Sequence, residues 1–199
     1  MSTAIPPLKG DAIGRYRIRL VGNSGTGKTT MLRRLESLLG IPALPMDLVF
    51  WEPNFVQVPR DVFRDRVQEF VDKHDQWVMD GNANLILGLS TTDIATDVIW
   101  LDPPFVLYFP RIFWRTMRRL FGYGEPCAPG CDETWRSVFF DKESILLWAI
   151  TQHRRVRKRY NAACSADPVE RGGKWRRLGG WGAEAKVWFE QVEELAKSR

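Results

Sequence analysis

The sequence predicts an α/β fold built on a doubly wound parallel sheet. Short apolar segments alternate along the chain with segments of helical periodicity, and a glycine-rich loop separates the first strand from the first helix. Parallel strands need a crossover connection, which a helix supplies. With 199 residues, 44% of them hydrophobic, the chain is long and apolar enough for one domain with one core.

The first elements follow from local pattern. Residues 1–14 are rich in proline and glycine, which predicts a flexible arm ahead of a single domain over residues 15–199. Apolar and β-branched residues predict a strand over residues 16–21. The spacing of leucines predicts a helix over residues 28–39, which Gly40 ends.

Strands and helices continue to alternate after this helix. Four further apolar segments predict strands, at residues 43–46, 77–79, 98–101 and 175–178. Helical periodicity predicts helices from Pro59, after Pro103, over about 142–159 and from Ala183. Pro110 should interrupt and kink the second of these, because proline has no backbone N–H to donate.

A phosphate-binding motif lies between the first strand and the first helix. Residues 22–29 satisfy G-x-x-x-x-G-K-[ST], the Walker A pattern of a P-loop. Backbone N–H groups and the positive end of the helix dipole bind phosphate oxygens there, Lys28 reaches the β and γ phosphates, and Thr29 ligates Mg²⁺. The motif therefore predicts ATP and Mg²⁺ as cofactors, with nucleotide-binding residues Gly22, Asn23, Ser24, Gly25, Thr26, Gly27, Lys28, Thr29 and Thr30.

The order of several short motifs resembles a known family. Besides the loop, the motifs are Met46 to Trp51, Trp77 to Asn82 (Trp-Val-Met-Asp-Gly-Asn), Leu101-Asp102 and Ala128 to Cys131. Over most of residues 16–160 they look like the adenylate-kinase-like P-loop proteins called topology modulation proteins. The wider group contains the nucleoside monophosphate and small-metabolite kinases. The resemblance implies a five-stranded parallel sheet, a substrate-binding arm and a mobile lid, here about residues 118–158.

Two aspartates are predicted to act beside the loop. Asp80 closes an apolar strand, so its carboxylate should emerge at the carboxyl edge of the sheet and hold Mg²⁺ together with Thr29; alternatively, it caps the turn before Gly81. By resemblance, Asp47 approaches the acceptor hydroxyl or the metal as a base or positioning group. Asp102 is expected only to cap the helix that follows it.

Arginines supply the predicted anion contacts. Arg66 falls on the same helical stripe as Val62, Phe63 and Phe70, so it should grip an anionic group of the acceptor; alternatively, its stem packs and its head reaches solvent. Arg115 and Arg119 recur on one helical face with Arg111 and Arg118, a pattern suited to closing over the nucleotide. The predicted acceptor-binding residues are Asp47, Arg66, Gly81, Asn82 and Arg157. The predicted catalytic residues are Lys28, Asp47, Asp80, Arg115, Arg119 and Arg154.

Zinc is not expected among the cofactors. Cys127 and Cys131 form one pair, whereas a structural zinc site needs four ligands, and Cys164 and the two histidines are isolated in the sequence.

The glycine-rich segment 179–182 follows the last predicted strand, where this fold usually lets the backbone contact adenine.

The sequence therefore predicts an ATP- and Mg²⁺-dependent phosphotransferase that moves the γ-phosphoryl group to a small, anionic acceptor. The alternatives are a P-loop NTP hydrolase and a nucleotide-gated nucleic-acid-binding protein.

Residues 1–110 carry a net charge of −2 and residues 111–199 a net charge of +7, so nucleic acid stays open as a partner without being favoured. No apolar segment is long enough to cross a membrane, and three cysteines fit a cytoplasmic, reducing environment. Monomer and homodimer both remain open.

Overall fold

The computed structural model describes residues 5–81, 91–139 and 144–198. Two short segments, Pro53–Phe55 and Val169–Arg171, are 3-10 turns. The strands are β1 (Arg17–Gly22), β2 (Ala43–Pro45), β3 (Trp51–Glu52), β4 (Val56–Gln57), β5 (Trp77–Asp80), β6 (Asp97–Leu101) and β7 (Trp175–Leu178). The helices are α1 (Lys28–Leu39), α2 (Met46–Phe50), α3 (Arg60–Lys73), α4 (Thr91–Ile94), α5 (Phe105–Leu120), α6 (Trp135–Phe139), α7 (Ile145–Ala166) and α8 (Ala183–Lys197).

Five strands form one parallel sheet in the order β2-β5-β1-β6-β7. On one face, α1 and α8 pack on the sheet through residues such as Leu32 and Phe189. On the other face, α3 and α7 pack on it through Phe63, Val67 and Tyr160. The strand order places β1 at the centre, with helices on both faces. This confirms the predicted doubly wound, five-stranded parallel fold.

The predicted strands and long helices are present, with small shifts at their ends. Both faces of the sheet are covered, so β5 and β6 are buried along their whole length, as expected for parallel strands that read as apolar runs. The helix α7 extends to Ala166, beyond the predicted end at residue 159. Four short elements were not predicted: α2, the β3–β4 hairpin, α4 and α6.

One predicted feature of α5 is wrong. The helix continues through Pro110 and is not interrupted there. A proline removes one helical hydrogen bond, and the turns on either side are held by the buried side chains of Tyr108 and Ile112. These two residues belong to a third apolar cluster, in which α5 packs on α7 and on Val138 of α6. Among the described helices, none combines the length and the apolar character that a membrane span requires.

Residues 5–14, part of the segment 1–14 for which the sequence predicts a flexible arm, lie against the sheet. Leu8 is buried in the core beneath α1 and α8. The backbone amides of Lys9 and Gly10 donate to the carboxylate of Asp97, at 2.6 and 3.1 Å, and the indole of Trp188 donates to the carbonyl of Pro7 at 2.8 Å. Asp97 is buried at the start of β6, so this segment supplies donors that the carboxylate needs.

A buried arginine lies in the central strand. Arg19 is fully buried in β1, and its guanidinium donates to the carbonyl oxygens of Asp80 and Gly81, each at 2.9 Å. Burial lowers the pKa of Arg19 to about 10, so it stays charged at neutral pH. These two hydrogen bonds fix the end of β5, where the chain leaves the sheet.

Replacing Arg19 by methionine should destabilise the fold. The Arg19→Met variant loses two hydrogen bonds from a charged donor but buries an apolar side chain more easily, for a net cost of about 2–4 kcal/mol. Thermal unfolding should show a melting temperature lower by about 5–15 °C. The matched variant Arg155→Met, at an exposed position of α7, should stay within about 0.5 kcal/mol of the wild type. Equal melting temperatures for the two variants would contradict this role.

Candidate active site

The glycine-rich loop between β1 and α1 takes a shape that only glycine allows at two positions. Gly25 has a φ of 73°, and a Cβ there would lie 2.4 Å from a side-chain carbon of Ile112, so the loop packs directly on α5. Gly27 has a φ of 96° and forms the N-cap of α1, with no atom within 4 Å of the place a Cβ would take. The start of α1 is therefore open to a ligand on this side.

Asp80 links the loop to the neighbouring strand. It is the last residue of β5 and only 4% exposed. One carboxylate oxygen accepts a hydrogen bond from the hydroxyl of Thr29 at 2.8 Å, and the other accepts from the backbone amide of Met46 at 3.1 Å. The structure thus brings the two predicted magnesium ligands, Thr29 and Asp80, into direct contact at the carboxyl edge of the sheet.

Lys28 folds back on the loop that contains it. Its ammonium group is half-buried and donates to the carbonyl of Asn23 at 2.8 Å. Burial lowers the pKa of Lys28, and the negative charges of Asp80 and Asp47 oppose that shift. Thr30, the other predicted loop residue on α1, is exposed.

Asp47 belongs to the same electrostatic neighbourhood. It lies in the first turn of α2, at a position that solvent reaches. Its pKa is raised, first by burial and then by repulsion from Asp80; Lys28 and two arginines of α5 act in the opposite direction. A carboxylate with a raised pKa beside a cationic loop can accept a proton from a hydroxyl group.

Two arginines of α5 face this neighbourhood, but they differ in their partners. Arg115 donates to the hydroxyl of Ser24 in the loop at 3.1 Å, and burial together with the charge of Arg119 lowers its pKa. Arg119 donates to the carbonyl of Glu125 at 2.7 Å and to the carboxylate of Glu133 at 3.4 Å. Glu133 was not singled out in the sequence, because spacing along the chain does not identify the partner of an arginine.

Arg66 does not share the buried stripe of α3. Its guanidinium donates to the carboxylate of Glu52 at 3.0 Å, and the two side chains are 41% and 47% exposed. The buried residues of this helix are Phe63 and Val67, whereas Val62 lies at the edge of the stripe and is 37% exposed. The predicted inward position of Arg66 is therefore wrong; its role toward an acceptor stays a prediction.

Asp102 has a different role from the one expected. The helix α5 begins at Phe105 with Pro104 as its N-cap, so Asp102 does not cap it. Its carboxylate is 8% exposed and accepts hydrogen bonds from Arg157 at 3.1 Å and from Arg177 at 2.9 Å. Arg157, a predicted acceptor-binding residue, is thus held by the chain's own carboxylate.

The remaining predicted positions are Gly81, Asn82 and Arg154. Gly81 follows β5 with a φ of 108°, and a Cβ there would lie 2.8 Å from Met46, so only glycine fits. Asn82 lies outside the described residues. Arg154 is exposed on α7.

The structure describes the surroundings of Cys127 and Cys131. Cys131 is buried and donates to the carbonyl of Glu52 at 3.3 Å, and burial raises the pKa of Cys127 to about 11. Within residues 5–81, 91–139 and 144–198, no three His, Cys, Asp or Glu side chains come close enough to hold a metal ion.

Comparisons with known proteins support the fold. No family model matches the sequence, and no curated protein matches it significantly. Among solved structures, a shikimate kinase from Bacteroides thetaiotaomicron aligns with a TM-score of 0.55 and 14% identity over 92% of this chain and 98% of that one. A shikimate kinase from Acinetobacter baumannii in complex with shikimate gives 0.52 and 18% over 93% and 95%. A gluconokinase from Sinorhizobium meliloti 1021 gives 0.52 and 15% over 92% and 94%. At these identities the likeness shows a shared fold.

The position of Arg66 predicts a small effect on stability. An exposed ion pair contributes about 0–1 kcal/mol, so Arg66→Met should unfold in urea within about 0.5 kcal/mol of the wild type. The matched variant Arg64→Met, on the exposed side of the same helix, should behave alike. A loss of more than about 2 kcal/mol in Arg66→Met alone would mean that the guanidinium is structurally required.

Proposed function

We propose that this chain is an ATP- and Mg²⁺-dependent phosphotransferase that moves the γ-phosphoryl group of ATP to a small, anionic acceptor. The observation that carries the proposal is the 2.8 Å hydrogen bond between Thr29 and Asp80, beside Lys28, at the carboxyl edge of a parallel sheet. Ligands of open α/β sheets bind at that edge. The fold shared with solved structures of small-metabolite kinases supports the same conclusion.

The donor set at this edge fits magnesium. Mg²⁺ prefers hard oxygen ligands and is bound by one or two protein groups together with phosphates. Thr29 and Asp80 offer a hydroxyl and a carboxylate in contact with each other, and they would hold the ion. Bound magnesium would neutralise charge on the β and γ phosphates.

The cationic residues of the chain do the rest of the electrostatic work. Lys28 exchanges the carbonyl of Asn23 for phosphate oxygens, which are better partners because they carry charge. Arg115 reaches the loop from α5 and stabilises charge on the group being transferred. Catalysis in such a site is mainly positioning and charge neutralisation.

Asp47 is the residue that acts on the acceptor. It accepts or orients the hydroxyl proton of the acceptor, for which its raised pKa suits it. Arg66, Gly81, Asn82 and Arg157 complete the proposed acceptor site. Two further points are part of this proposal. Residues from about 118 to 158 form a lid, and the chain is related to the topology modulation proteins.

A phosphotransfer screen tests the proposal directly. Labelled ATP is incubated with the protein and with nucleosides, nucleotides and sugar acids in turn. One acceptor class should become labelled in a Mg²⁺-dependent way. Release of labelled inorganic phosphate alone, at the same rate with every acceptor, would replace the kinase by the NTP hydrolase alternative.

The variant Lys28→Ala should lose Mg-ATP affinity. Lys28 supplies charge-assisted hydrogen bonds to phosphate, so calorimetry should show binding weakened by about a hundredfold or more. The variant should still fold, because only one hydrogen bond to Asn23 is lost. Lys73→Ala, which removes an exposed partner of Glu69 on α3, should bind ATP like the wild type. Unchanged affinity in Lys28→Ala would overturn the nucleotide site.

The variant Asp47→Asn should separate binding from transfer. Removal of a general base lowers kcat by about 10²- to 10⁴-fold, whereas the ATP dissociation constant should change by less than about threefold, since Asp47 does not hold phosphate. In the wild type, activity should fall as the pH drops through the raised pKa of Asp47, above the usual value of about 3.9. This acid limb should be absent from the residual activity of Asp47→Asn. Wild-type kcat in that variant, or an unchanged limb, would exclude Asp47 as the base.

A further inference from the structure

A hydrogen-bond chain connects α7 with the phosphate loop. Nδ1 of His153 on α7 lies 2.6 Å from the hydroxyl oxygen of Tyr108 on α5. The amide nitrogen of Asn23, the second residue of the loop, donates to that same hydroxyl at 2.8 Å. The backbone amide of Ser24 donates to the side-chain oxygen of Asn23 at 2.8 Å. Neither Tyr108 nor His153 belongs to the phosphate-binding motif, yet together they reach into it.

The backbone amide of Ser24 fixes which side-chain atom of Asn23 faces Tyr108. The N–H of Ser24 can only donate, so the atom of Asn23 that faces it is the oxygen, and the NH₂ group of Asn23 faces Tyr108. The hydroxyl of Tyr108 therefore accepts from Asn23 and has one hydrogen of its own to donate. Nδ1 of His153, 2.6 Å away, accepts that hydrogen when the ring is neutral with its proton on Nε2.

The shape of the loop depends on the peptide of Asn23. The carbonyl of this residue accepts from the hydroxyl of Thr26 at 2.9 Å and from the ammonium of Lys28 at 2.8 Å. Its side chain is buried between Tyr108 and the next residue of the loop. A displacement of Asn23 would therefore move the carbonyl that orients Lys28 and the amides that follow it.

We propose that Tyr108 and His153 are positioning residues for the phosphate loop, and that neutral His153, acting through Tyr108, keeps Asn23 in the conformation that binds nucleotide. This inference rests on the proposed function, because it needs a nucleotide to bind at the loop. It also links α7, much of which belongs to the proposed lid, to nucleotide affinity.

The surroundings of His153 favour the neutral ring. Burial lowers its pKa, and the charges of Arg157 and Arg154 on the same helix lower it further, whereas Asp102 raises it. Asp102 is itself engaged by Arg157 and Arg177. From α5, the ring is faced by the hydroxyl of Tyr108 and by the apolar ring of Phe105, at 5.2 Å between centroids.

Protonation of His153 would act on nucleotide affinity in two ways, which have opposite signs. A protonated Nδ1 can no longer accept from Tyr108, so the hydroxyl hydrogen would lose this acceptor, the hydroxyl would reorient, and nucleotide affinity should fall at low pH. A histidinium that acted only through its charge would attract phosphate and raise affinity at low pH. The sign of the pH effect therefore tests positioning against simple electrostatics.

The experiment compares Mg-ATP dissociation constants by calorimetry at pH 7.5 and 5.5. Tyr108→Phe removes the hydroxyl, His153→Leu removes the acceptor, and His153→Asn keeps an acceptor near the place of Nδ1 but cannot titrate. His74→Asn, at the end of α3, is the matched control for His153→Asn. Melting temperatures establish that each variant folds. Because phosphate groups also titrate near pH 6, each variant is compared with the wild type at the same pH.

At pH 7.5, Tyr108→Phe and His153→Leu should bind ATP about two- to tenfold more weakly than the wild type, the effect of one lost hydrogen bond. His153→Asn should stay within about twofold and, at pH 5.5, should bind more tightly than the wild type. The control His74→Asn should match the wild type. The chain has two histidines, so ¹⁵N NMR of the wild type and of His153→Asn should assign His153 to the Nε2–H tautomer at pH 7.5.

Wild-type affinity in Tyr108→Phe, an Nδ1–H tautomer, or a wild type that gains affinity over His153→Asn at pH 5.5 would each overturn the inference while leaving ATP binding intact. A wild type that binds no Mg-ATP at either pH would overturn the proposed function, and this inference with it. The two failures are thus distinguished by the wild-type titration alone.

Discussion

The guanidinium of Arg19, a residue of β1, is buried and donates to the carbonyl of Asp80 at the end of β5 and to the carbonyl of Gly81. Burying a cation is costly unless hydrogen bonds compensate it. These two hydrogen bonds therefore fix the position of the end of β5, and with it the position of Asp80. The carboxylate of Asp80 in turn fixes Thr29 of the phosphate loop and the backbone of Met46, next to Asp47. The proposed metal ligands and the proposed base thus depend on one buried charge in β1.

The phosphate loop is fastened from two sides. Asp80 holds its helical end through Thr29, and Tyr108 holds its beginning through Asn23. Gly25 packs on α5 between these two points, with no room for a side chain. A loop fixed in this way pays little conformational entropy when it binds phosphate, which is how preorganised sites gain affinity. The same arrangement makes the loop sensitive to the position of α5 and α7.

Local sequence patterns were sufficient for the fold and for the loop. Strand and helix periodicity depend on neighbours in the chain, and the motif at residues 22–29 specifies its own geometry. The partners of charged groups could not be predicted in this way. Arg66 meets Glu52, and Arg157 meets Asp102, because the chain folds back over many residues. Residue spacing along the helix predicted an inward position for Arg66, but it could not predict the hairpin that carries Glu52.

Three of the arginines proposed to bind anions, Arg66, Arg119 and Arg157, are engaged by carboxylates of this chain, and the differences between these pairs rank the three arginines. Arg66 and Glu52 are both exposed, so an anionic acceptor can displace that pair at a cost of about 0–1 kcal/mol. Arg157 can leave Asp102 because Arg177 continues to neutralise that carboxylate.

Arg119 is different, because it and Glu133 are only 15% and 8% exposed. Its departure would leave Glu133 with the charge of Arg115 nearby but without its hydrogen-bonded cation, and breaking a buried ion pair is destabilising. Arg66 and Arg157 are therefore the arginines suited to exchange partners during a catalytic cycle. Arg119 is better suited to holding Glu133 and the residues after α5 in place, whereas Arg115 contacts the phosphate loop through Ser24 and is the arginine proposed to face the transferred group.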